Sequence, residues 1–395
     1  MVASAQGLAE TFQLSASRFA PNWLAAMQIS ALVIRNFRLI ENAVLSLTPG
    51  IQLFLGDNAQ GKTSLIEAIF FLSTSTSHRT RREEELIQWN CETAYLRGTV
   101  EQHERTETLE CGLERQRKQI KADEKKLPRV GDLYGRLRTV LFAPEDLQIV
   151  SGSPQERRRF LDMAIAQVKP EYIHLLQQYR RVLRQRNQAL KQIQIKGSSP
   201  ALLSQVSIWN DPFIDLAAQI VQERAQALQS LSQAAENYYA GLADDGPFQL
   251  RYAAAEVGDD GSLADKLRDK LERSQQSEQE RGSTQTGPHR DDLQCLLQGR
   301  PLASTGSQGQ RRAAALALRL AESGYCREQT GDWPILLIDD VVYEMDNHRR
   351  TRFWQQVDTS GQLIVTATDR EHLGASLEPS RVFGVSHGKI HLTEP

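Results

Sequence analysis

The first 150 residues have the spacing of short buried strands and one amphipathic helix. Apolar runs at 29–34, 51–55 and 140–142 predict buried strands. Apolar residues at 65, 66, 69, 70 and 72 recur at helical spacing and predict a helix over 64–72. Between 95 and 122 apolar and charged residues alternate, which favours an antiparallel meander with one solvated face. These elements predict the first part of an α/β lobe.

The pattern changes to long helices after residue 153 and returns to short strands after residue 287. Helices are predicted over 154–168, 170–194, 212–242 and 262–281, separated by segments rich in proline, glycine and serine. The remainder predicts helices over 309–328 and 346–357, and strands over 334–339, 362–367 and 381–392. A helical insertion that splits one ATPase-like α/β domain fits this order.

Composition places the chain among soluble globular proteins. Of the 395 residues, 40% are hydrophobic and 24% are charged, and no run of about 18 apolar residues occurs. The 47 basic and 49 acidic side chains give a net charge of −2, so any nucleic-acid site has to be a local cationic patch. Four scattered cysteines without a C-x-x-C pair indicate reduced thiols in the cytoplasm.

The segment from 56 to 63 carries the strongest chemical signal. Between a predicted strand and a predicted helix it matches G-x-x-x-x-G-K-[ST] and, with the next residue, consists of Gly56, Asp57, Asn58, Ala59, Gln60, Gly61, Lys62, Thr63 and Ser64. Backbone N–H groups of such a loop bind phosphates. A chance match is the alternative, and the flanking elements disfavour it. We therefore predict an ATP site, with Lys62 at the β- and γ-phosphates and Thr63 at Mg²⁺.

An apolar strand that ends in two acids is predicted at 334–340. It has the Walker B pattern, in which a carboxylate lies near Mg²⁺ beside the phosphate loop. Asp339 is predicted to hold the metal through water, and Asp340 to act as the general base or to orient the attacking water. Alone, the pattern also fits a buried strand that ends at a turn. The phosphate loop upstream favours the functional interpretation.

A third motif, Ser307-Gln308-Gly309-Gln310, precedes a helix rich in alanine and leucine. Four such residues alone are also typical of a polar loop with a helix N-cap. The order of phosphate loop, S-x-G-Q helix and acidic strand is that of the ATP-binding-cassette ATPases. In those proteins the signature helix of one subunit presents its serine and its N-terminus to the γ-phosphate held by the other. We therefore predict that Ser307, Gly309 and Gln310 complete a nucleotide site across a dimer.

The distance along the chain between the phosphate loop and the acidic strand is far longer than a transporter cassette needs. Roughly 270 residues separate them, and insertions of that length are typical of chromosome-maintenance and repair ATPases. The helices predicted there have at most about 30 residues, or about 45 Å, so no very long coiled coil is expected. We predict an α/β P-loop NTPase of the ABC/SMC-head type, with lobe I split in sequence and an inserted, mainly α-helical lobe II.

The predicted boundaries divide the chain into four segments. Residues 1–26 are predicted to be an N-terminal extension, disordered or a non-native start, because strong patterning begins only at Met27. They lack the basic and apolar segments of a signal peptide. The N-terminal part of lobe I is predicted over 27–150 and the helical lobe II over 151–282. The C-terminal part of lobe I, with the signature and Walker B motifs, is predicted over 283–395.

Further motifs resemble those of the RecF family of bacterial recombination mediators, from residue 27 to the C-terminus. They are Ile-Arg-Asn-Phe-Arg at 34–38, Ser-His-Arg-Thr at 77–80, Phe-Ala-Pro-Glu-Asp-Leu at 142–147 and Gly-Pro-His-Arg-Asp-Asp-Leu at 287–293. The resemblance implies an ATP- and Mg²⁺-dependent homodimer on single-stranded, gapped or junction DNA, in the cytoplasm and without a membrane. It implies that RecR, and through it RecO, cooperates in loading RecA during repair, replication restart and the SOS response. Weak ATP hydrolysis would serve as the dimerisation switch.

Three positions depart from what such ATPases usually carry. Ala59 occupies a position where many RecF proteins have glycine. No transporter-type glutamine is evident after Phe142, and the segment 366–369, Thr-Ala-Thr-Asp, lacks a switch histidine. These departures leave open which residue senses the γ-phosphate, and they fit slow turnover.

A basic stripe on the helix predicted over 170–194 is the first candidate DNA surface. At 100° per residue one face carries Arg180, Arg181, Arg184 and Lys191. Arg186 falls on the apolar side and is predicted to be paired inside the core. A solvated helix face is the alternative for the stripe. In a RecF-like protein the stripe would bind DNA phosphates.

Arg79 and Arg81, shortly after the phosphate-loop helix, form a second candidate DNA surface. His289 and Arg290 fit a structural role as well as a DNA contact. The alternative functions are a transporter-type ATPase subunit, another SMC-like DNA-scaffolding ATPase and an ATPase-linked nuclease. The transporter would need the absent glutamine and histidine, and the nuclease a further carboxylate cluster for two metals.

Overall fold

The computed structural model describes residues 26–115, 117–253, 262–373 and 377–394, so the predicted N-terminal extension lies almost wholly outside the described residues. The strands are β1 (Gln28–Phe37), β2 (Ile40–Ser46), β3 (Ile51–Leu55), β4 (Thr93–Gln102), β5 (Arg105–Glu114), β6 (Arg117–Ala122), β7 (Lys125–Lys126), β8 (Thr139–Phe142), β9 (Phe248–Ala253), β10 (Asp292–Leu297), β11 (Arg300–Pro301), β12 (Ile335–Asp339), β13 (Leu363–Ala367), β14 (Arg381–Ser386) and β15 (Lys389–Glu394). The α-helices are α1 (Lys62–Thr74), α2 (Leu147–Ser151), α3 (Pro154–Val168), α4 (Glu171–Lys196), α5 (Pro200–Ser207), α6 (Asn210–Leu242), α7 (Leu263–Arg281), α8 (Leu302–Thr305), α9 (Gln308–Thr330) and α10 (Asn347–Gln356).

Most elements predicted from periodicity are present, and two differences have local causes. The short helix α5 gives no periodic signal because its eight residues follow a serine- and proline-rich segment that favours a loop. Its N-cap, Ser199, accepts a hydrogen bond from the Leu202 N–H. The strand predicted over 381–392 is instead the hairpin β14–β15, since Gly388 turns the chain with a φ of 74°.

A six-stranded sheet in the order β15-β14-β3-β13-β12-β8 forms the centre of the ATPase part and is parallel except at β14–β15. Its strands alternate between two hydrophobic cores. In β12, Leu336 and Ile338 face the core shared with the helices, whereas Ile335 and Leu337 face the core around α1. The sheet thus separates two cores, and the carboxyl ends of β3, β12 and β13 meet at one edge.

A second sheet, in the order β2-β1-β4-β5-β6-β7, is antiparallel throughout. It contains the meander predicted over 95–122, so that prediction is confirmed. Its buried side chains share one core with α1, among them Leu96 of β4 and Leu109 of β5. The phosphate-loop helix is therefore enclosed between the two sheets.

A buried ion pair joins helices α4 and α7 in the helical part. The guanidinium of Arg186 on α4 is 2.7 Å from Glu278 on α7 and donates hydrogen bonds to Asn210 and Thr284 at 3.0 and 2.8 Å. Arg186 and Glu278 are almost fully buried, which confirms that Arg186 is paired in the core. No helix of the described ranges is long and apolar enough to cross a membrane.

A third, three-stranded sheet in the order β11-β10-β9 crosses the predicted boundary at 282/283. Its strand β9 lies in the segment predicted to be helical, and it pairs with β10 from the following segment. Along β9 exposed side chains alternate with buried or half-buried ones. That periodicity indicates a strand face but does not identify the strand with which β9 pairs. After β8 the chain returns to the parallel sheet only at β12.

Candidate nucleotide-binding site

The phosphate loop, residues 56–61, follows β3 and leads directly into α1. Gly56 has no room for a side chain, because a Cβ there would lie 2.2 Å from the carbonyl oxygen of Val385. Gly61 has a φ of 113°, which L residues rarely adopt. Ala59 is also left-handed, at a φ of 62°, where alanine costs about 1 kcal/mol relative to glycine. The loop therefore adopts a left-handed backbone at both positions despite the alanine.

The Lys62 ammonium lies over the loop. Its Nζ donates hydrogen bonds to the carbonyl oxygens of Gly56 at 2.9 Å and Asp57 at 3.1 Å, and it is 3.4 Å from Oδ2 of Asp340. Only 3% of Lys62 is exposed, so its charge is directed at the loop and not at bulk solvent. Asp57, Asn58 and Ala59 form the exposed tip of the loop. This geometry fits an anion bound inside the loop.

The β14–β15 hairpin holds the phosphate loop from the side. The Gly388 N–H donates to the Gln60 carbonyl at 2.8 Å, and the His387 N–H donates to the Gln60 side chain at 2.6 Å. A Cβ on Gly388 would lie 1.9 Å from the Leu39 carbonyl oxygen, so glycine is required there. Sequence reasoning missed this contact, and the available signal was Gly388 inside the strand predicted over 381–392.

Thr63 and Asp339 lie side by side at the strand ends. The Thr63 hydroxyl donates to Oδ1 of Asp339 at 3.2 Å, and the Thr366 hydroxyl donates to the same oxygen at 2.9 Å. Burial raises the pKa of Asp339 from 3.8 to about 6, although the two hydroxyl groups oppose that effect. No cation lies beside this carboxylate among the described residues to offset its burial. A hydroxyl and a buried carboxylate are oxygen ligands of the kind that Mg²⁺ prefers.

Asp340 follows directly and has an unusual conformation. Its φ of 50° is left-handed, and its backbone N–H donates to the Thr366 hydroxyl at 3.1 Å. The Oδ1 atom is buried and has no hydrogen-bond partner within the described part of the chain. A carboxylate oxygen without a partner beside Lys62 fits a group that orients water at the phosphate. Thr366 is a further site residue. The sequence indicated it only indirectly, as the first residue of the segment 366–369 that lacks a switch histidine.

The signature motif begins α9 at the surface. The Ser307 hydroxyl accepts a hydrogen bond from the Gln310 N–H at 3.2 Å, and the Gln310 side chain accepts from the Ser307 N–H at 2.9 Å. This is a capping box, and Ser307 is exposed. The Arg349 guanidinium covers Gly309 so closely that a Cβ there would lie 2.3 Å from it. Among the described residues, no hydrogen bond joins this first turn to residues 56–64.

A buried carboxylate on the phosphate-loop helix was also missed. Glu67 of α1 accepts two hydrogen bonds from the Arg38 guanidinium, at 2.8 and 2.9 Å, and another from the Ser77 hydroxyl. Burial alone would raise the pKa of Glu67, but these bonds outweigh burial and hold it below its usual value. Glu67 thus fixes the loop after α1 to the helix that carries Lys62 and Thr63.

The candidate DNA residues lie on two surfaces. All four stripe residues are exposed on α4: Arg180, Arg181, Arg184 and Lys191. Arg79 is 3.9 Å from Glu67, and Arg81 is 3.4 Å from Glu156, so the second surface is partly paired. The His289 ring is 2.6 Å from the Tyr179 hydroxyl, and burial lowers its pKa to about 4, which favours a structural role. No group of three or more metal-ligating side chains occurs in the described residues.

Comparison with known proteins agrees over nearly the whole chain. A sequence model of the RecF/RecN/SMC N terminal domain matches residues 28–391. The DNA replication and repair protein RecF of Listeria monocytogenes is 36% identical over 370 residues, covering 92% of this chain and 99% of its own length. That of Listeria innocua is 37% identical with the same coverage.

Solved structures give the same result. A structure of the recombination mediator protein RecF-ATPrS in the RecFOR pathway matches with a TM-score of 0.84 and 31% identity, and the match covers 93% of this chain and 98% of that chain. The Smc head domain of Pyrococcus furiosus matches with a TM-score of 0.55 at 15% identity, which concerns the fold alone. The predicted ABC/SMC-head fold with a helical insertion is confirmed.

Proposed function

We propose, because the chain belongs to the RecF family of DNA replication and repair proteins, that it is an ATP-switched DNA-binding protein of recombinational repair. In this proposal ATP joins two copies on single-stranded, gapped or junction DNA. The dimer then acts with RecR and RecO to help load RecA, and replication restart and the SOS response depend on that step. This proposal rests on the family and on the chemistry of the site.

The surface position of the signature motif is the observation that carries the proposal. Lys62, Thr63, Asp339 and Asp340 converge at one sheet edge, whereas Ser307 lies exposed at the start of α9. An exposed serine at a helix N-terminus is suited to a phosphate presented from outside the chain. A second copy is the natural source of that phosphate. ATP would thus bind the dimer more tightly than the monomer, and by linkage it would tighten dimerisation equally.

The residues present fit ATP and Mg²⁺. Bound Mg²⁺ would neutralise the phosphate charge and the buried Asp339 carboxylate together, which removes the cost of burying that carboxylate. Thr63 would supply a hydroxyl ligand, and Lys62 would exchange its bonds to two loop carbonyls for bonds to phosphate oxygens. Asp340 would orient the attacking water through its free carboxylate oxygen. Slow hydrolysis would then end the dimeric state.

The experiment measures whether ATP controls DNA binding. Fluorescence anisotropy of a labelled gapped duplex is recorded with Mg²⁺ and either ATP or ADP, for the parent protein, Lys62→Ala and Lys125→Ala. Lys125 is an exposed lysine on β7, remote in the fold from the phosphate loop, and serves as the matched control. We expect ATP to tighten DNA binding for the parent and for Lys125→Ala but not for Lys62→Ala. Equal DNA affinity of the parent with ATP and ADP contradicts the proposal.

A further inference from the structure

Two neighbouring cavities lie along α3, one beside each candidate DNA surface. The first, of about 290 Å³, is lined by the loop after α1, including Arg79 and Arg81. The second, of about 370 Å³, is lined by Arg180 of α4. Both are lined by Arg159 and Met163 of α3, so the two cavities are adjacent across these two side chains. We call the pair of cavities the α3 groove.

Two arginines of α3 project into this groove without a carboxylate partner. Arg159 donates one hydrogen bond to the Ser77 carbonyl at 2.9 Å, and Arg158 donates one to the Asp291 carbonyl at 2.6 Å. Within the described ranges neither guanidinium forms an ion pair, although Asp292, Asp162 and Asp291 lie near enough to Arg158 to raise its pKa. Their neighbour Arg157, by contrast, pairs bidentately with Asp292. Arg158 and Arg159 therefore keep most of their N–H donors for a ligand.

The electrostatic environment of these arginines favours a bound anion. Burial, together with the nearby Arg224 guanidinium, lowers the pKa of Arg158, although Asp292, Asp162 and Asp291 oppose that effect. Three of the four acids that line the first cavity are engaged, since Glu156 lies beside Arg81 and both Asp146 and Glu322 pair with Arg319, whereas Glu145 forms no ion pair among the described residues. An anion in the groove would add to the compensation of the Arg158 and Arg159 charges.

His78 gives an independent indication of a ligand. Its ring lines the first cavity, and both ring nitrogens are buried without a hydrogen-bond partner among the described residues. Burial lowers its pKa to about 4, so the ring is neutral and one nitrogen carries a proton. A buried imidazole without partners is costly unless a ligand or water completes its hydrogen bonds. A phosphate oxygen can accept that proton in a hydrogen bond.

We propose that the α3 groove binds the phosphodiester backbone of DNA, with Arg158 and Arg159 on successive phosphates and His78 donating to one of them. The groove would make the two candidate surfaces, Arg79 with Arg81 and the α4 stripe, parts of one continuous track. This proposal rests on the proposed DNA-binding function and specifies its path. An extended polyanion fits better than a free nucleotide, because the cations lie in two adjacent cavities and not in one closed pocket.

The test compares the salt dependence of DNA binding. Each lost phosphate contact lowers the slope of log K against log salt by about 0.9 for duplex DNA, so Arg158→Gln combined with Arg159→Gln should lower it by about 2. Arg300→Gln, an exposed arginine on β11, is the matched control and should leave the slope unchanged. Arg159→Lys keeps the charge and should retain most of the slope that Arg159→Gln alone removes. Circular dichroism and the urea midpoint verify that each variant is folded.

The possible outcomes separate the two proposals. If the parent binds DNA and the double variant keeps the slope of Arg300→Gln, the groove is not on the DNA path, whereas the proposed function stands. If Arg159→Lys loses as much slope as Arg159→Gln, the arginine acts by packing and the groove proposal is also wrong. If the parent does not bind DNA with ATP, the proposed function fails and the groove fails with it.

Discussion

Replacement of Asp339 by asparagine should stabilise the protein when nucleotide and Mg²⁺ are absent. The carboxylate is 3% exposed, and its burial raises the pKa from 3.8 to about 6. A difference of that size corresponds to a cost of about 3 kcal/mol for the ionised group at neutral pH. Asparagine has no charge to bury, and its Oδ1 can still accept hydrogen bonds from Thr63 and Thr366. The free energy of urea unfolding in EDTA at pH 7 should therefore rise.

The sign of the pH dependence follows from the raised pKa. The folded protein holds the Asp339 proton more tightly than the unfolded chain, so the cost is complete above about pH 6. It falls as the pH decreases from about 6 towards 4, where both states become protonated. The advantage of Asp339→Asn should accordingly shrink to about half at pH 5 and disappear below about pH 4. With ATP and Mg²⁺ the order should reverse, because a ligand stabilises the folded parent by an amount that grows with the logarithm of the ligand concentration divided by Kd.

A second buried aspartate provides the matched control. Asp332 is equally buried, but it is 3.3 Å from the Arg138 guanidinium and 3.2 Å from the His103 ring. Asp332→Asn removes the charge partner of a buried arginine and should destabilise the protein. If Asp339→Asn also destabilises the metal-free protein, or if its effect is the same at pH 5 and pH 7, the Asp339 carboxylate is not held at a cost and the reasoning is refuted.

Two further predictions concern hydrolysis and the helical part. Asp340→Asn should still bind ATP while hydrolysing it about 10²-fold more slowly, because a positioned base contributes at least that factor; unchanged turnover in a phosphate-release assay would assign Asp340 a structural role. Glu278→Ala should lower the free energy of unfolding by about 3–5 kcal/mol, since it leaves the buried Arg186 charge unpaired. A loss below about 1 kcal/mol in urea unfolding would show that Arg186 finds another partner or reaches water.

The motifs that could be predicted from sequence are those whose residues are neighbours along the chain. The phosphate loop lies between β3 and α1 because the apolar run and the helical spacing adjoin it directly. The burial of Arg186 was predictable for the same reason, because the helical spacing of apolar residues in α4 places Arg186 on the apolar face of that helix. In each case local geometry determines the position of the side chain.

The remaining site residues depend on contacts between distant segments. Thr366 reaches Asp339 only because β13 pairs with β12, and Gln60 meets Gly388 only because β14 lies beside β3. Neither pairing follows from periodicity, which fixes the face of a strand but not its neighbour. In the run Arg157-Arg158-Arg159 the sequence offers three equal residues, and only the packing of α3 pairs the first and leaves the others in a groove.

Sedimentation velocity of the Ser307→Arg variant tests the shared nucleotide site most directly. The parent, Ser307→Arg and Ser304→Arg are compared with Mg²⁺ and ATP or ADP; Ser304 is a nearby exposed serine outside the signature motif. Each tenfold tighter ATP binding by the dimer corresponds to about 1.4 kcal/mol of coupling. We expect ATP, but not ADP, to dimerise the parent and Ser304→Arg, while Ser307→Arg stays monomeric and still binds ATP. A Ser307→Arg protein that dimerises with ATP as the parent does contradicts the shared site and leaves the motif as a helix cap.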